Sequence, residues 1–288
     1  MTNSLKIKSF AKINLALDVL GKAGKYHKIQ TVYQQISLHD TLIIKEIEKN
    51  KIILKSNDKN LSVTPKNLAY QAAEMIKKSC RIKKGVEIFI DKHIPVASGF
   101  GGGSGNGATM LKGLNELFKL KLSKAKLEKF AEKLGMDAPF FITGGTAMGT
   151  HFGEKVRALT PLTNLTLALF VPNKKSPLIA KTKTVYKKIN TKLTGKEQKK
   201  TKLLLKELKA KKPQKQAVLD NLHNDIEIAM DISEIKKTLL QAGASQVVLS
   251  GSGPSVVAFF KNKFERKMCL KVLDAKFKKA YKVLLATT

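Results

Sequence analysis

Six glycines fall between positions 99 and 107, in the run Gly99-Phe100-Gly101-Gly102-Gly103-Ser104-Gly105-Asn106-Gly107. No other feature constrains the fold of this 288-residue chain as tightly. Glycine loses more freedom on folding than any other residue, so a run this dense needs a reason to be ordered: a positive φ or the close approach of a ligand. The run leads into Ala108–Phe118, which patterns as a helix. The first N–H groups of a helix have no internal acceptor, and the helix dipole is positive at that end. A glycine loop feeding a helix start is therefore a phosphate cradle. It is not a Walker loop, because no lysine follows the glycines. Gly103 to Ala108 fits Gly-x-Gly-x-x-Ala only formally, since the preceding strand ends near Ile90, too far back for a dinucleotide fold. The His-Arg-Asp and Asp-Phe-Gly signatures of protein kinases are absent.

Around this run the chain alternates strand and helix signals. Leu5 to Leu20 has apolar residues at Ile13, Leu15, Leu17 and Val19, the period of a half-buried strand, broken by Gly21 and Gly24. Thr41 to Ile47 and Lys51 to Leu54 pattern as strands paired with each other, and Val86 to Ile90 as another. Asn67 to Lys78 carries a helical stripe. Leu122 to Leu134 is a helix closed by Gly135, and Asp137 to Phe141 opens a short helix that stops at Gly144-Gly145. Strands follow at Thr146–Phe152 and Leu165–Val171, and the lysine-dense Lys181–Lys215 is expected to be exposed helix and loop. Asn224–Met230 and Ile232–Leu240 read as helices. Val247–Leu249 and Val256–Phe260 flank a Ser-Gly-Ser-Gly turn, and Lys263–Leu273 is a last helix. Strand and helix signals start afresh near 150–160, where a domain boundary is expected.

Charge narrows the function classes. The net charge is +32, but only Arg81, Arg157 and Arg266 among the 54 basic residues are arginine. Readers of nucleic acid rely on arginine for bidentate contacts, whereas lysine spread through every segment is the mark of a solvated surface that attracts anions. No specific nucleic-acid partner is expected, and no apolar run reaches the roughly 20 residues of a membrane span. Two cysteines, Cys80 and Cys269, form no Cys-x-x-Cys pair, and the N-terminus lacks a signal-peptide core, so a cytoplasmic location is expected. The five histidines have no zinc spacing.

Three further places carry chemistry. Lys12 and Asn14 share one face of the first strand, as either an exposed edge or a buried ammonium that meets phosphate or carboxylate. Asp137 precedes Ala138-Pro139 at a helix start, where an aspartate either caps the helix or is held ionised as a general base. Tyr26-His27 is surface, or a pair that stacks on a base and hydrogen-bonds its edge.

Taken in order, Ala11-Lys12-Ile13-Asn14-Leu15, the glycine run, Leu134-Gly135-Met136-Asp137-Ala138-Pro139-Phe140 and Leu249-Ser250-Gly251-Ser252-Gly253 resemble the GHMP kinases, which include galactokinase, homoserine kinase and mevalonate kinase. The opening motif with Tyr26-His27 and the Asn224-Asp225-Ile226-Glu227 segment is most similar to the members acting on a cytidine-diphosphate-linked polyol. The resemblance implies an α+β fold of two domains, an N-terminal one, 1–155, like ribosomal protein S5 domain 2, and a ferredoxin-like C-terminal one, 156–288. It implies ATP and Mg²⁺ as cofactors and transfer of the γ-phosphoryl to the C2 hydroxyl of a methylerythritol unit, in isoprenoid precursor synthesis. It implies Asp137 as base with Lys12 as partner, and a nucleotide site along Pro95, Gly99, Gly101, Gly102, Gly103, Ser104, Gly105 and Asn106. It implies substrate contacts from Asn14, Tyr26, His27, Thr182 and Tyr186, with the two tyrosines sandwiching the cytosine. A monomer or weak homodimer is expected. The chain departs from the family pattern at Lys25, where glycine is usual, and at Gly105 and Gly107, each weakening a helix start by about 0.5–1 kcal/mol. A homoserine- or mevalonate-type kinase and a basic nucleic-acid-binding protein are the competing readings.

Overall fold

The computed structural model describes residues 3–24, 26–173 and 182–288. Its elements form two compact units that are not sequential stretches of chain. The first takes the chain up to Ala11, Leu38–Val96 and Gly101–Gly144; the second takes Lys12–Ser37, Ala97–Phe100 and Gly145–Thr288. The reason is the length of the first two strands, β1 (Ser4–Ala23) and β2 (Tyr26–Ile47), which each contribute residues to both units. Gly21 does not break β1; it is carried inside the strand at φ 130°.

In the first unit, β3 (Ile52–Ser56) and the 41–47 portion of β2 do not pair with each other as the sequence pattern predicts. Both pair with β4 (Gly85–Asp91), β3 in parallel and β2 antiparallel. Ile88 of β4 thus faces Ile44 on one side and Leu54 on the other. Helices α1 (Leu68–Ser79), α2 (Gly102–Leu117) and α3 (Lys124–Leu134) cover the sheet, with α4 (Ala138–Thr143) beside them. Leu42, Ile44, Ala72, Ile76, Ile88, Leu111, Leu114 and Phe130 belong to one buried cluster. Asn67 caps α1 and Ser123 caps α3 through their side chains.

In the second unit, β2 pairs with β5 (Thr146–Thr150), which pairs with β6 (Lys155–Ala158). A separate four-stranded sheet comprises β7 (Thr166–Pro172), β9 (Gln246–Leu249), β10 (Val256–Phe260) and β11 (Tyr281–Thr287) in the order β11-β7-β10-β9, all antiparallel. Helix α5 (Thr182–Lys188), α6 (Gln198–Leu208), α7 (Lys215–Asp220), α8 (Ser233–Gln241), α9 (Lys263–Val272) and α10 (Ala275–Ala280) complete it. The architecture is α+β. Two expectations change here. Asn224–Met230 is not an α-helix: β8 (His223–Asn224) pairs in parallel with β1, and a single 3₁₀ turn follows at Asp225–Ile228. The lysine-dense segment is not wholly exposed, because α6 buries Thr201, Leu204 and Leu208. The Thr201 hydroxyl donates to Asp18 Oδ2 at 2.6 Å, and Asp18 Oδ1 meets His223 Nε2 at 2.9 Å, which anchors α6 to the buried end of β1.

Candidate active site

The glycine run is a helix start, and the helix begins earlier than its sequence pattern predicts. Gly101 takes the left-handed conformation, φ 72°, and α2 runs from Gly102, not Ala108. No side chain caps that end, so the leading N–H groups remain available to an acceptor. Close approach makes a side chain crowded at three positions along this turn. A Cβ on Gly102 would stand 3.0 Å from Ile94 Cγ2 and 3.2 Å from Lys92 Nζ. On Gly105 it would stand 3.1 Å from the Phe10 carbonyl, and on Gly107 3.1 Å from Leu134 and 3.2 Å from Leu68. Gly105 and Gly107 are therefore packing glycines inside a helix.

Sequence reasoning passed over Lys92 and Asp40, which hold the approach to this turn. The Lys92 ammonium, almost wholly buried, donates to Asp40 Oδ2 at 2.9 Å and to the Ile94 carbonyl. Asp40 Oδ1 accepts from the backbone N–H groups of His93 and Ile94, both at 2.8 Å. One carboxylate thus fixes three donors in the segment that ends at Pro95. Burial pushes the Lys92 pKa below its ordinary value, against the pull of Asp40. The Asp-Lys spacing of 52 residues gives no local signal; only pairing of β2 with β4 brings the two together.

Asp137 stands, half-buried, at the N-terminal end of α4, but its side chain makes no capping hydrogen bond. The simple helix-cap reading is thereby removed. The turn before it lies beside α2: a Cβ on Gly135 would be 3.9 Å from Ser104 Oγ, and the Ala138 N–H closes on the Gly135 carbonyl at 3.1 Å.

The second unit holds the other residues. Lys12 and Asn14 are buried, not edge-exposed. Lys12 Nζ donates to Asn14 Oδ1 at 2.9 Å and lies 5.5 Å from the Tyr33 ring centroid. Asn14 Nδ2 donates to Thr31 Oγ1 at 2.7 Å, and Thr31 donates to the Ala16 carbonyl at 2.7 Å. This relay fixes the amide's orientation, so its oxygen faces the ammonium. The Ser-Gly-Ser-Gly turn closes over the same place. Gly251, φ 56°, leaves room where a Cβ would be 3.1 Å from Lys12 Nζ. Asn224 holds the turn by donating to the carbonyls of Leu249 and Gly251 at 2.9 and 2.8 Å. Gly99, φ 86°, packs against this turn, its carbonyl accepting from Ser250 Oγ at 3.3 Å.

Tyr26 and His27 open β2 rather than lying in a loop. The His27 ring lies 5.4 Å from Tyr186, tilted by 37°, and Tyr26, 43% exposed, lies 5.3 Å from Phe152. Burial, and then the neighbouring charge of Lys22, lower the His27 pKa, so its imidazole is neutral near pH 7 and offers one donor and one acceptor. The side chain of Thr182 lies outside the described residues.

The family description "GHMP kinases N terminal domain" matches residues 67–145, and "GHMP kinases C terminal" matches 227–279. A 4-diphosphocytidyl-2-C-methyl-D-erythritol kinase of Clostridioides difficile is 38% identical over 97% of this chain and 94% of its own. The chain belongs to the GHMP kinase family. A kinase of the same name from Caldicellulosiruptor bescii is 35% identical over 99% of this GHMP kinase and 98% of the relative. Among solved structures, a 4-(cytidine 5'-diphospho)-2C-methyl-D-erythritol kinase aligns over 98% of both chains with TM-score 0.76 and 23% identity. A homoserine kinase from Cytophaga hutchinsonii aligns over 98% of this chain and 94% of its own, with TM-score 0.75 and 19% identity. The α+β fold is therefore that of the family, and fold alone does not separate its members. No helix of the described residues is long and apolar enough to cross a membrane.

Proposed function

We propose that this GHMP kinase transfers the γ-phosphoryl group of ATP to the C2 hydroxyl of 4-diphosphocytidyl-2-C-methyl-D-erythritol. The observation that carries the reading is the full-length similarity, 38% identity across 97% of the chain, to a curated kinase of that name. The geometry fits it. Phosphoryl transfer asks the protein for positioning and charge neutralisation more than for covalent chemistry. The uncapped start of α2 offers backbone donors to the phosphates, along Gly101, Gly102, Gly103 and Ser104. Asp137, at the N-terminal end of α4, orients the acceptor hydroxyl and takes its proton as the O–P bond forms and the bond to the departing diphosphate breaks. Lys12, already desolvated and oriented by Asn14, neutralises charge on the transferring group.

Mg²⁺ supplies charge neutralisation between the phosphates when it is bound. Among the described residues no cluster of three His, Cys, Asp or Glu could hold a metal. Mg²⁺ is commonly held by one or two protein oxygens together with phosphates and water. Ser104, in the first turn of α2, would supply one such oxygen.

Choice of the cytidine substrate falls to the second unit. His27 and Tyr186 form a ring pair, and Tyr26 presents a second exposed aromatic face. The rings offer stacking surfaces, and the neutral imidazole a donor and an acceptor for the edge of the base. Asn14, beside Lys12, reaches the polyol. The test is ADP release by the purified protein with Mg-ATP and a panel of 4-diphosphocytidyl-2-C-methyl-D-erythritol, mevalonate, homoserine and galactose. Turnover on the cytidine compound alone, lost in Asp137→Asn, is expected. Turnover on another member of the panel would keep the phosphate chemistry and overturn the base-recognition reading.

A further inference from the structure

Lys112 lies in the later turns of α2 and is half-buried. Its ammonium donates to the Phe141 carbonyl at 3.0 Å. Burial, with no opposing charge, pushes its pKa below the ordinary lysine value. A methionine stem would fill the same space without a desolvated charge, so packing does not account for the ammonium.

What the ammonium does is hold α4. That helix has six residues, well short of the roughly 12–15 at which a helix approaches stability by itself, so its place is set by what grips it. The last carbonyls of a helix have no internal donor. In α4 the Phe140 carbonyl accepts from the Gly144 N–H at 2.6 Å, and the Phe141 carbonyl from Lys112. The Phe141 ring also lies against α2, since a Cβ on Gly105 would stand 3.4 Å from its Cδ1. From α3, Glu128 Oε1 accepts from the Thr143 hydroxyl at 3.1 Å. Thus α2 and α3 together grip the C-terminal part of α4. Asp137 stands at its other end, about one turn, or ~6 Å, before Phe141. The helix that carries Lys112 itself begins at Gly102, in the glycine turn.

We infer that Lys112 is a positioning residue for phosphoryl transfer: its bond to the Phe141 carbonyl fixes the helix that begins at Asp137 against the helix that begins at the glycine turn. The inference rests on the proposed role of Asp137 as base. A misplacement of about 1 Å, caused far from the reacting atoms, can cost about a hundredfold in rate.

The experiment measures kcat, KM for Mg-ATP, KM for 4-diphosphocytidyl-2-C-methyl-D-erythritol and melting temperature. It compares wild type, Lys112→Met, Lys112→Arg, Asp137→Asn and Asp137→Asn/Lys112→Met, each as the full chain. Lys112→Met keeps the stem and removes the donor. Its kcat is expected to fall about tenfold to a hundredfold with both KM values unchanged. Its melting temperature is expected to stay within about 5 °C of wild type, because the lost bond and the relieved desolvation oppose each other. Lys112→Arg restores a charged donor and is expected to recover kcat to within about threefold of wild type. A positioning residue acts through the base, so the double variant is expected to be no slower than Asp137→Asn. Unchanged kcat in Lys112→Met would overturn the inference. So would a further loss in the double variant, or a larger fall in melting temperature, each of which reports general disturbance. Loss of turnover in Asp137→Asn with none in Lys112→Met would overturn this inference alone. Asp137→Asn at wild-type turnover would overturn the base and this inference with it. Turnover on a different acceptor would overturn only the proposed substrate, and the same comparison is then made with that acceptor.

Discussion

Replacing Asp40 by asparagine removes one charge and almost no volume, and the structure sets the size of the effect. Lys92 and Asp40 are both nearly inaccessible, and the Lys92 ammonium meets the Asp40 carboxylate at 2.9 Å. Breaking a buried pair by removing one partner costs about 3–5 kcal/mol, because a charge is left uncompensated. Asparagine keeps an oxygen for the His93 and Ile94 N–H groups, so the loss falls near the lower end, about 3 kcal/mol. At about 2–4 °C per kcal/mol for a chain of this size, the melting temperature drops by about 6–12 °C. The sign of the pH dependence follows from Lys92. Its pKa in the folded protein is depressed, chiefly by burial. The unfolded chain therefore binds more protons than the native one between the folded value and 10.5, and this group favours folding increasingly as pH rises through that window. Without Asp40 the folded value falls further, so the variant recovers by losing the proton. The stability gap between wild type and Asp40→Asn narrows from pH 7 to pH 9.5. Urea unfolding at the two pH values measures it. In Asp40→Asn/Lys92→Met, where neither charge remains, stability returns to within about 1–2 kcal/mol of wild type. A single variant that unfolds within about 0.5 kcal/mol of wild type at both pH values would refute the assignment of this pair as a buried clamp.

Asp137→Asn lowers kcat by about 10²–10⁴-fold. Steady-state kinetics checks the loss, and melting calorimetry of the variant checks that it is folded. Tyr26→Ala loses a stacking face worth about 1–3 kcal/mol and raises KM for the cytidine substrate by about 5- to 150-fold at unchanged KM for ATP; an unaltered KM would remove Tyr26 from base recognition. Burial works against a charged His223 imidazole, but its bond to Asp18 outweighs burial and raises the pKa above 6.5. That contribution to stability is complete below pH 6.5 and fades as pH rises through the raised value. His223→Gln therefore costs more stability at pH 6 than at pH 9 in denaturant unfolding, and the reverse order would contradict the ion pair.

What the sequence shows of this molecule is what depends on short range. The helical stripe of α1, the strand period of β1 and the breaks at Gly135 and Gly144 are all local patterns, and the structure has them within a few residues. The burial of Lys12 was open on pattern alone, because a period of two places a residue on a face without saying what covers it. The pairing of β2 and β3 with β4, rather than with each other, depends on a third segment about thirty residues further on. Likewise, the Lys92–Asp40 pair and the His27–Tyr186 ring pair join residues 52 and 159 positions apart, which no spacing rule registers.

The glycine run itself shows where local reasoning stops. By propensity, glycines at 105 and 107 weaken a helix by about 0.5–1 kcal/mol each, which argues for a loop until Ala108 and for a loosened nucleotide turn. The structure reverses the first conclusion, since α2 starts at Gly102. The physical reason is that both glycines face tight neighbours: the Phe10 carbonyl and Ser9 hydroxyl at 105, Leu68 and Leu134 at 107. A larger residue at either place must displace backbone or buried apolar groups, so the propensity cost is set against close packing of α2 on β1, α1 and α3. A helix held from three sides presents its uncapped N–H groups as a fixed set. The glycines that make the turn look loose in sequence are then the ones that let it be held rigidly, and the phosphate cradle proposed for the run would gain its preorganisation from packing rather than from helix propensity.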